Sequence, residues 1–275
     1  MRAPIPITDP SDPRIDAYRD VRDRDLTGRG GFMAEGAVVL EQLLASRRYR
    51  PVSLLVLPGR WAGLSARLAA LPDDVPVFTA ERAVFDAVSG FPMNRGILAH
   101  GTERSGGEDV AEPMEAVLAW TVREGGTVVV ACGLTNHDNV GGLFRNAAAF
   151  GAGAVLLDDR ACDPLYRKAI RVSVGTVLTV PFARGGAPSQ IRALLTDAGF
   201  ECLALSPGGE LRLDAIRERR PRALFLGTEG EGLDGRFLAE CRSLRIAMAP
   251  GLDSLNVATS AAIALHHFFS LSSPD

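Results

Sequence analysis

The sequence of 275 residues lacks the marks of exported, membrane-spanning and disulfide-linked proteins. No apolar run approaches the roughly 18 residues that a transmembrane helix needs, so we expect no membrane partner. Prolines and acids interrupt the first 14 residues, where a signal peptide would carry an apolar stretch, so we expect a cytoplasmic protein. The widely spaced cysteines contain no CxxC pair, which predicts free, buried thiols and no metal site. They are Cys132, Cys162, Cys202 and Cys241.

An excess of positive charge is also missing, because 30 basic residues face 33 acidic ones and the formal net charge is −3. This balance argues against a protein that coats nucleic acid over its whole surface. Arginines nevertheless cluster at positions 14–29, 47–50 and 217–222, with acids interleaved in the first and third clusters. Solvated, salt-bridged faces and local RNA-binding patches both remain open for these clusters.

The chain is long enough for two domains, and a stretch rich in Gly, Ser and acids begins at Gly101. We therefore predict an N-terminal domain at 1–104, a linker at 105–117 and a second domain at 118–275. A surface loop within one domain is the alternative interpretation of the linker. In the first domain, apolar patterns predict three strands and two helices. The strands are Leu54–Leu57, Val75–Phe78 and Arg95–Ala99, and the helices are Ala37–Leu44 and Leu64–Leu71.

In the second domain, apolar β-branched runs alternate with helical patterns, which favours an α/β fold with a mostly parallel sheet and helices on both faces. The predicted strands are Thr127–Ala131, Ala154–Leu157, Glu201–Leu205, Ala223–Leu226 and Leu244–Met248. The predicted helices are Val140–Phe150, Pro188–Ala198, Gly235–Cys241 and Asn256–Phe269. Ligands bind at the carboxyl ends of parallel strands, so the loops after Ala131, Leu226 and Met248 should carry the chemistry.

The first of these loops, LTNHDNVGGLFRNAAAF, places Asn139 where it could cap the following helix. Arg145 follows within a stretch of Ala, Leu and Phe, so its charge requires a partner, either an internal acid or a bound anion. His137 is an alternative base, since histidine titrates in the right range.

The second loop, LFLGTEGEGLD, turns sharply at a strand end, and its two glutamates suit a cationic ligand better than pyrophosphate. It has neither the Gly-Lys-Ser/Thr of a P-loop nor the GxGxxG of a dinucleotide fold. The third loop, RIAMAPGLDSLNVATSAA, joins a strand to a long helix lined with small residues, which permit close backbone approach.

Together, NxGxxxRxA, GTEGEGL and IAM…SLNVA resemble, in this order, the three signature motifs of the SpoU/TrmH family of RNA 2′-O-ribose methyltransferases. The likeness covers roughly residues 127–270. It is weaker in RGGFMAEGAVVLEQLL and NRGILAH, which resemble the family's RNA-recruiting domain, related to a ribosomal-protein fold.

The resemblance implies a SPOUT catalytic domain with a C-terminal trefoil knot, S-adenosylmethionine as cofactor, a homodimer, and rRNA or tRNA as partner, with rRNA favoured. It implies that five residues bind the donor: Leu226, Gly227, Ile246, Met248 and Leu255. It also implies that five act on the reaction: Arg145, Asn139, Glu229, Ser254 and Asn256. Ala247 departs from the family's usual proline, which relaxes a backbone restraint and bears on donor affinity.

The chemistry assigns Arg145 a role other than base, because a guanidinium stays protonated at physiological pH. We expect it to clamp the phosphate beside the target ribose and to stabilise the developing alkoxide. Glu229 would pair with an arginine or with the donor.

The sequence argues against two alternative functions. A non-catalytic RNA-binding factor would be expected to lose Arg145, Asn139 or the Gly-Thr-Glu turn, and all are present. A nucleotide-dependent oxidoreductase would need a Gly-rich turn after its first strand, which this chain lacks.

Overall fold

The computed structural model describes residues 3–19, 31–64, 68, 71–89, 95–104, 113–251 and 253–271. The chain divides into two compact units, Met1–Ala111 with Leu165–Thr179, and Glu112–Pro164 with Val180–Asp275. The assignment of Leu165–Thr179 to the first unit has no counterpart in the sequence analysis. Residues 105–112 of the expected linker lie outside the described residues. Residues 29–30 and 94, which belong to the N-terminal stretches that resemble the family, also lie outside them.

The described part of the first unit contains a five-stranded sheet in the order β1-β4-β3-β5-β2. Strands β1, β4 and β3 are parallel, whereas β5 runs antiparallel to both β3 and β2. The strands are β1 (Ile5–Ile7), β2 (Gly31–Glu35), β3 (Tyr49–Val56), β4 (Val77–Ala80) and β5 (Ile97–Glu103). The helices before the second unit are α1 (Ala37–Ala45), α2 (Pro58–Leu64) and α3 (Arg82–Ser89), preceded by a 3₁₀ helix at Pro13–Tyr18.

Predictions for this unit were partly right. The strand at Leu54–Leu57 and the helix at Ala37–Leu44 are confirmed, within one residue, as parts of β3 and α1. Strand β4 begins two residues later than predicted because Pro76 has no N–H to donate. Strand β5 begins at Ile97 because Gly96 adopts a φ of 65°. Most of the helix predicted at Leu64–Leu71 lies outside the described residues.

The second unit is built on a seven-stranded sheet in the order β10-β12-β9-β11-β6-β7-β8, in which every described pairing is parallel. The strands are β6 (Thr127–Ala131), β7 (Ala154–Leu157), β8 (Phe182–Arg184), β9 (Glu201–Leu205), β10 (Leu211–Arg212), β11 (Arg222–Leu226) and β12 (Arg242–Arg245). The remaining helices of the chain are α4 (Met114–Arg123), α5 (His137–Ala149), α6 (Arg167–Val172), α7 (Pro188–Asp197), α8 (Gly235–Ala239) and α9 (Val257–Ser270). Of these, α6 lies in the first unit and has a 3₁₀ helix after it (Thr176–Leu178); another (Leu213–Ala215) lies in the second.

The α/β class and the mostly parallel sheet are confirmed. Helices α4, α7 and α8 pack against one face of the sheet around Val128, Val130 and Phe225. Side chains alternate along a strand, so Val129 and Leu224 face the opposite side, and both are fully buried. Helices α5 and α9 pack against each other.

The strand predicted at Leu244–Met248 is wrong, because β12 spans Arg242–Arg245. Its pairing with β9 ends at Leu244, opposite Leu205, and the chain then leaves the sheet. After β12 the chain returns to pack α9 against α5, the helix that joins β6 to β7. Since β9 and β11 lie between β12 and β6, this connection crosses the carboxyl ends of both strands.

Among the helices in the described part of the chain, none is both long and apolar enough to cross a membrane.

Candidate functional site

A cavity of about 490 Å³ lies at the carboxyl ends of β9 and β11. Its walls are the residues that follow β9, the loop that follows β11, and the connection that leads into α9. All five expected donor-binding residues line it: Leu226, Gly227, Ile246, Met248 and Leu255. Three of the expected catalytic residues line it as well: Glu229, Ser254 and Asn256. The structure therefore brings the second and third sequence motifs together around one cavity.

The loop after β11 closes on itself. Thr228 and Gly232 form an antiparallel bridge, and the Gly232 N–H donates to the Thr228 carbonyl at 3.2 Å. A Cβ atom on Gly227 would lie 2.2 Å from the Gly232 carbonyl carbon and 2.4 Å from the Leu233 nitrogen. Only glycine at position 227 permits this close approach, which fixes the shape of the cavity wall.

Asn139 connects the first motif to the other two. Its side chain is buried and donates from Nδ2 to Glu229 Oε1, while its Oδ1 accepts from Asn256 Nδ2 at 2.8 Å. Asn256 also caps α9, because its Oδ1 accepts from the N–H groups of Ala258 and Thr259 at 2.9 and 3.2 Å. The three side chains thus form one hydrogen-bonded chain beside the cavity, and its two outer members line the cavity wall.

Asn139 is not the helix cap that its position suggested. The cap of α5 is Asn136, whose side chain accepts from the Asp138 N–H at 2.8 Å. Asn139 lies inside the first turn, where its amide is free to reach the other loops. Glu229 likewise pairs with this amide rather than with an arginine. Sequence spacing alone could not distinguish two asparagines three residues apart.

Arg145 lies apart from the cavity lining. It is exposed on α5, and it forms no ion pair or hydrogen bond with another described residue. Of the two partners considered for Arg145, an internal acid is not found among the described residues, and its apolar neighbours in sequence, Leu143, Phe144 and Ala147, face the other side of the helix. His137, the alternative base, is the first residue of α5 and does not line the cavity either.

Close packing between α5 and α9 holds these groups in place. A Cβ on Gly142 would come within 2.9 Å of the Ala258 Cβ, so a larger residue would push the helices apart. The Asn146 amide donates to the Ala258 carbonyl at 2.7 Å. The small residues noted in the sequence therefore serve helix packing beside the site.

Some lining residues were missed by sequence reasoning. They are Leu205, Ser206, Pro207, Thr228, Leu233, Leu238 and Ser260. The first three lie at the end of a strand that was predicted to the residue, so the rule that ligands bind at carboxyl ends could have identified them. Position within a motif would have found Thr228 and Leu233. Leu238 and Ser260 lie in helices, where no local signal distinguishes them.

The cysteines are free in the structure, as expected, but only Cys132 is fully buried and the other three are partly exposed. Burial raises the pKa of the Cys162 and Cys241 thiols to about 11 and raises that of Cys202 as well. Burial, together with the nearby Asp158 carboxylate, also raises the pKa of Cys132 far above its usual range. These thiols are therefore protonated at neutral pH and poorly nucleophilic.

Comparison with known proteins identifies the family. Residues 126–266 match the model of the SpoU rRNA methylase family, which is just over half of the chain. The chain belongs to this family. An uncharacterized tRNA/rRNA methyltransferase of Mycobacterium bovis is 38% identical over 278 aligned positions, covering 94% of this chain and 90% of the relative.

Solved structures share the fold of this family member. An AdoMet-bound rRNA methyltransferase from Sinorhizobium meliloti superposes with a TM-score of 0.79 at 22% identity, over 96% of each chain. An RNA 2′-O ribose methyltransferase superposes with a TM-score of 0.77 at 25% identity, over 97% of this chain and 99% of the other. The coverage shows that both units of this SpoU family member belong to the shared architecture.

Proposed function

We propose that this protein transfers a methyl group from S-adenosylmethionine to a ribose 2′-hydroxyl of structured RNA, with rRNA favoured over tRNA. The observation that carries the proposal is the convergence of the three motif loops. The second and third line one cavity, and Asn139 of the first is hydrogen-bonded to both. Membership in the family and the likeness to a 2′-O ribose methyltransferase support the reaction type.

The cavity fits the proposed donor in size and in chemistry. Its volume of about 490 Å³ lies within the range of small-molecule sites. Leu226 and Met248 offer apolar contact to an adenine ring, and the turn that begins at Gly227 presents main-chain polar groups. Glu229 and Glu231 place negative charge on the same loop, which suits a positively charged sulfonium ligand.

When bound, S-adenosylmethionine supplies a methyl group that is already activated for transfer. The protein must orient the acceptor oxygen in line with that methyl group and stabilise charge as the hydroxyl proton leaves. The hydrogen bonds from Asn139 to Glu229 and from Asn256 to Asn139 hold three polar groups in fixed orientation for this purpose. Ser254 lines the same cavity and can orient the donor or the ribose.

In this proposal the permanently charged guanidinium of Arg145 clamps the phosphate beside the target ribose. Its exposure and its lack of a partner among the described residues leave it available for an anion. Since Arg145 does not line the cavity of its own chain, we assign it to the donor site of a second copy in a homodimer. Exposed apolar side chains on α9, Ile263 and Phe269 at 38% and 45% exposure, support such an interface.

The remaining parts of the proposal concern topology and location. We assign the first unit to RNA recruitment, since its N-terminal stretches resemble the family's recruiting domain. The return of α9 from the sheet edge to α5 supports a trefoil knot around the donor cavity. We assign the protein to the cytoplasm, where its RNA substrate is found.

The test is transfer of labelled methyl from S-adenosylmethionine to total RNA from cells of the source organism that lack the protein. A 2′-O-methyl group protects the adjacent phosphodiester from alkali, so label should appear in alkali-resistant dinucleotides. Label in mononucleotides alone would place the methyl group on a base and contradict the proposal. RNA binding without any transfer would favour the non-catalytic alternative.

A further inference from the structure

A second cavity, of about 620 Å³, lies beside the first at the carboxyl ends of β6, β7 and β11. The two cavities share Thr228, Glu231, Gly232 and Leu233, so the loop after β11 forms the wall between them. The beginnings of α7 and α8 complete its lining, with Ser189 and Arg236 among their residues. Apart from the loop after β11, the residues that line the second cavity lie outside the three sequence motifs.

A buried carboxylate lines it. Asp158 follows β7 and is 1% exposed. Its Oδ1 accepts from the N–H groups of Gly133 and Ala161, both at 2.9 Å. The printed hydrogen bonds of this carboxylate all reach Oδ1, which leaves Oδ2 as an acceptor that opens on the cavity. A ligand with an N–H group in the cavity would satisfy this oxygen.

Some charged side chains around the cavity have a partner within the protein, and others do not. Asp234 caps α8 by accepting from the Arg236 N–H at 2.8 Å, and Glu240 pairs with Arg192 at 2.6 Å. The guanidinium groups of Arg160 and Arg236 are exposed and form no ion pair with another described residue. The cavity therefore offers one acceptor oxygen and two available cations, with the exposed Glu231 carboxylate on the wall that it shares with the first cavity. A nucleotide matches this set, because its base carries N–H donors and its phosphate accepts from arginine.

We propose that the second cavity binds a nucleotide of the RNA substrate, with Asp158 Oδ2 accepting from an N–H group of the base and Arg160 and Arg236 binding phosphate oxygens. This inference rests on the proposed methylation of RNA. It assigns the pocket next to the donor cavity to substrate recognition, with the loop 228–233 in contact with donor and RNA at once. In this view Asp158 is a binding residue for RNA and takes no part in the transfer itself.

The decisive variant is Asp158→Asn. The asparagine oxygen can keep the bonds to Gly133 and Ala161, while its amide places a donor where the base is expected to donate. We expect the KM for RNA to rise about tenfold or more, because two N–H donors would then face each other without an acceptor. The affinity for S-adenosylmethionine and the Tm should stay at the wild-type values.

A second variant, Ser189→Trp, keeps the carboxylate and fills the cavity from the exposed start of α7. It should raise the KM for RNA in the same way, and it keeps the test informative if Asp158→Asn fails to fold. Arg236→Ala should weaken RNA binding and reduce the slope of affinity against salt by about one charge. Arg123→Ala is the matched control, because Arg123 is exposed on α4 and does not line the cavity.

The substrate is total RNA from cells lacking the protein, assayed with saturating S-adenosylmethionine. If wild-type protein transfers methyl to RNA and both Asp158→Asn and Ser189→Trp keep the wild-type KM, the second-cavity inference alone is overturned. Tight binding of free nucleoside monophosphates, without any change in the KM for RNA in these variants, would also overturn it. If wild-type protein transfers no methyl to RNA, the proposed function itself fails.

Discussion

Replacing Gly227 by alanine should abolish tight donor binding. The added Cβ would lie 2.2 Å from the Gly232 carbonyl carbon and 2.4 Å from the Leu233 nitrogen, where ordinary contacts begin at 3.4 Å. Both neighbours are backbone atoms of the cavity wall, so the loop must move by about 1 Å. Such overpacking costs about 1–3 kcal/mol. If the donor-bound conformation of the loop carries this cost, the Kd for S-adenosylmethionine should rise about 5- to 150-fold.

The assay is isothermal titration calorimetry with S-adenosylmethionine, with the Tm measured in parallel. Gly230→Ala is the matched control, since it changes the same loop but its Cβ would meet no atom within 4 Å. We expect the control to bind within about threefold of wild type. Wild-type affinity in Gly227→Ala, with an unchanged Tm, would show that the turn does not shape the donor site.

Three further predictions concern the catalytic network and the thiols. Asn139→Ala removes both hydrogen bonds of a buried amide. The free energy of unfolding should fall by about 2 kcal/mol in urea titrations, and kcat should fall about 100-fold. A wild-type kcat in this variant would show that Asn139 does not contribute to the reaction. Arg145→Lys should lower kcat at least tenfold in single-turnover assays while the Kd for S-adenosylmethionine stays unchanged. The reason is that lysine lacks the planar guanidinium that binds phosphate through two hydrogen bonds. A wild-type rate would contradict the binding of phosphate by Arg145. Cys162 and Cys241 of the native protein should react slowly with iodoacetamide at pH 8, because a pKa of about 11 leaves roughly one thiol in a thousand ionised. Alkylation is followed by mass spectrometry, and rapid alkylation would contradict the raised pKa of these thiols.

The central strands of the second unit could be predicted well because every residue of β6, β7 and β11 is buried. Thr127–Ala131 and Ala154–Leu157 were predicted to the residue, because a continuous apolar run is typical of a strand inside a parallel sheet. Glu201–Leu205, which is only partly buried, was also predicted to the residue. The end of β12 was missed because Ile246 and Met248 are apolar for a different reason. They line the cavity rather than extend the sheet.

The site residues were placed by family resemblance, and their contacts could not be read from the sequence. Nothing local reveals that Asn139 reaches Glu229, 90 residues away, or that Asn256 caps one helix while it donates to another. The apolar neighbours of Arg145 left an internal acid and a bound anion both open as its partner, and only the structure shows that the helix turns its side chain to the surface. Periodicity describes neighbours along the chain, so it cannot predict contacts that form only when the chain crosses back over its own sheet.

The ribose oxygen of RNA is the proposed acceptor of the methyl group. The most direct measurement uses S-adenosylmethionine with a deuterated methyl group, RNA from cells lacking the protein, and mass spectrometry of the released nucleosides. We predict a nucleoside whose added deuterated mass stays with the ribose fragment, at a single position in the RNA, and the loss of this product in Asn139→Ala. A deuterated methyl group found on the base fragment would contradict transfer to the ribose.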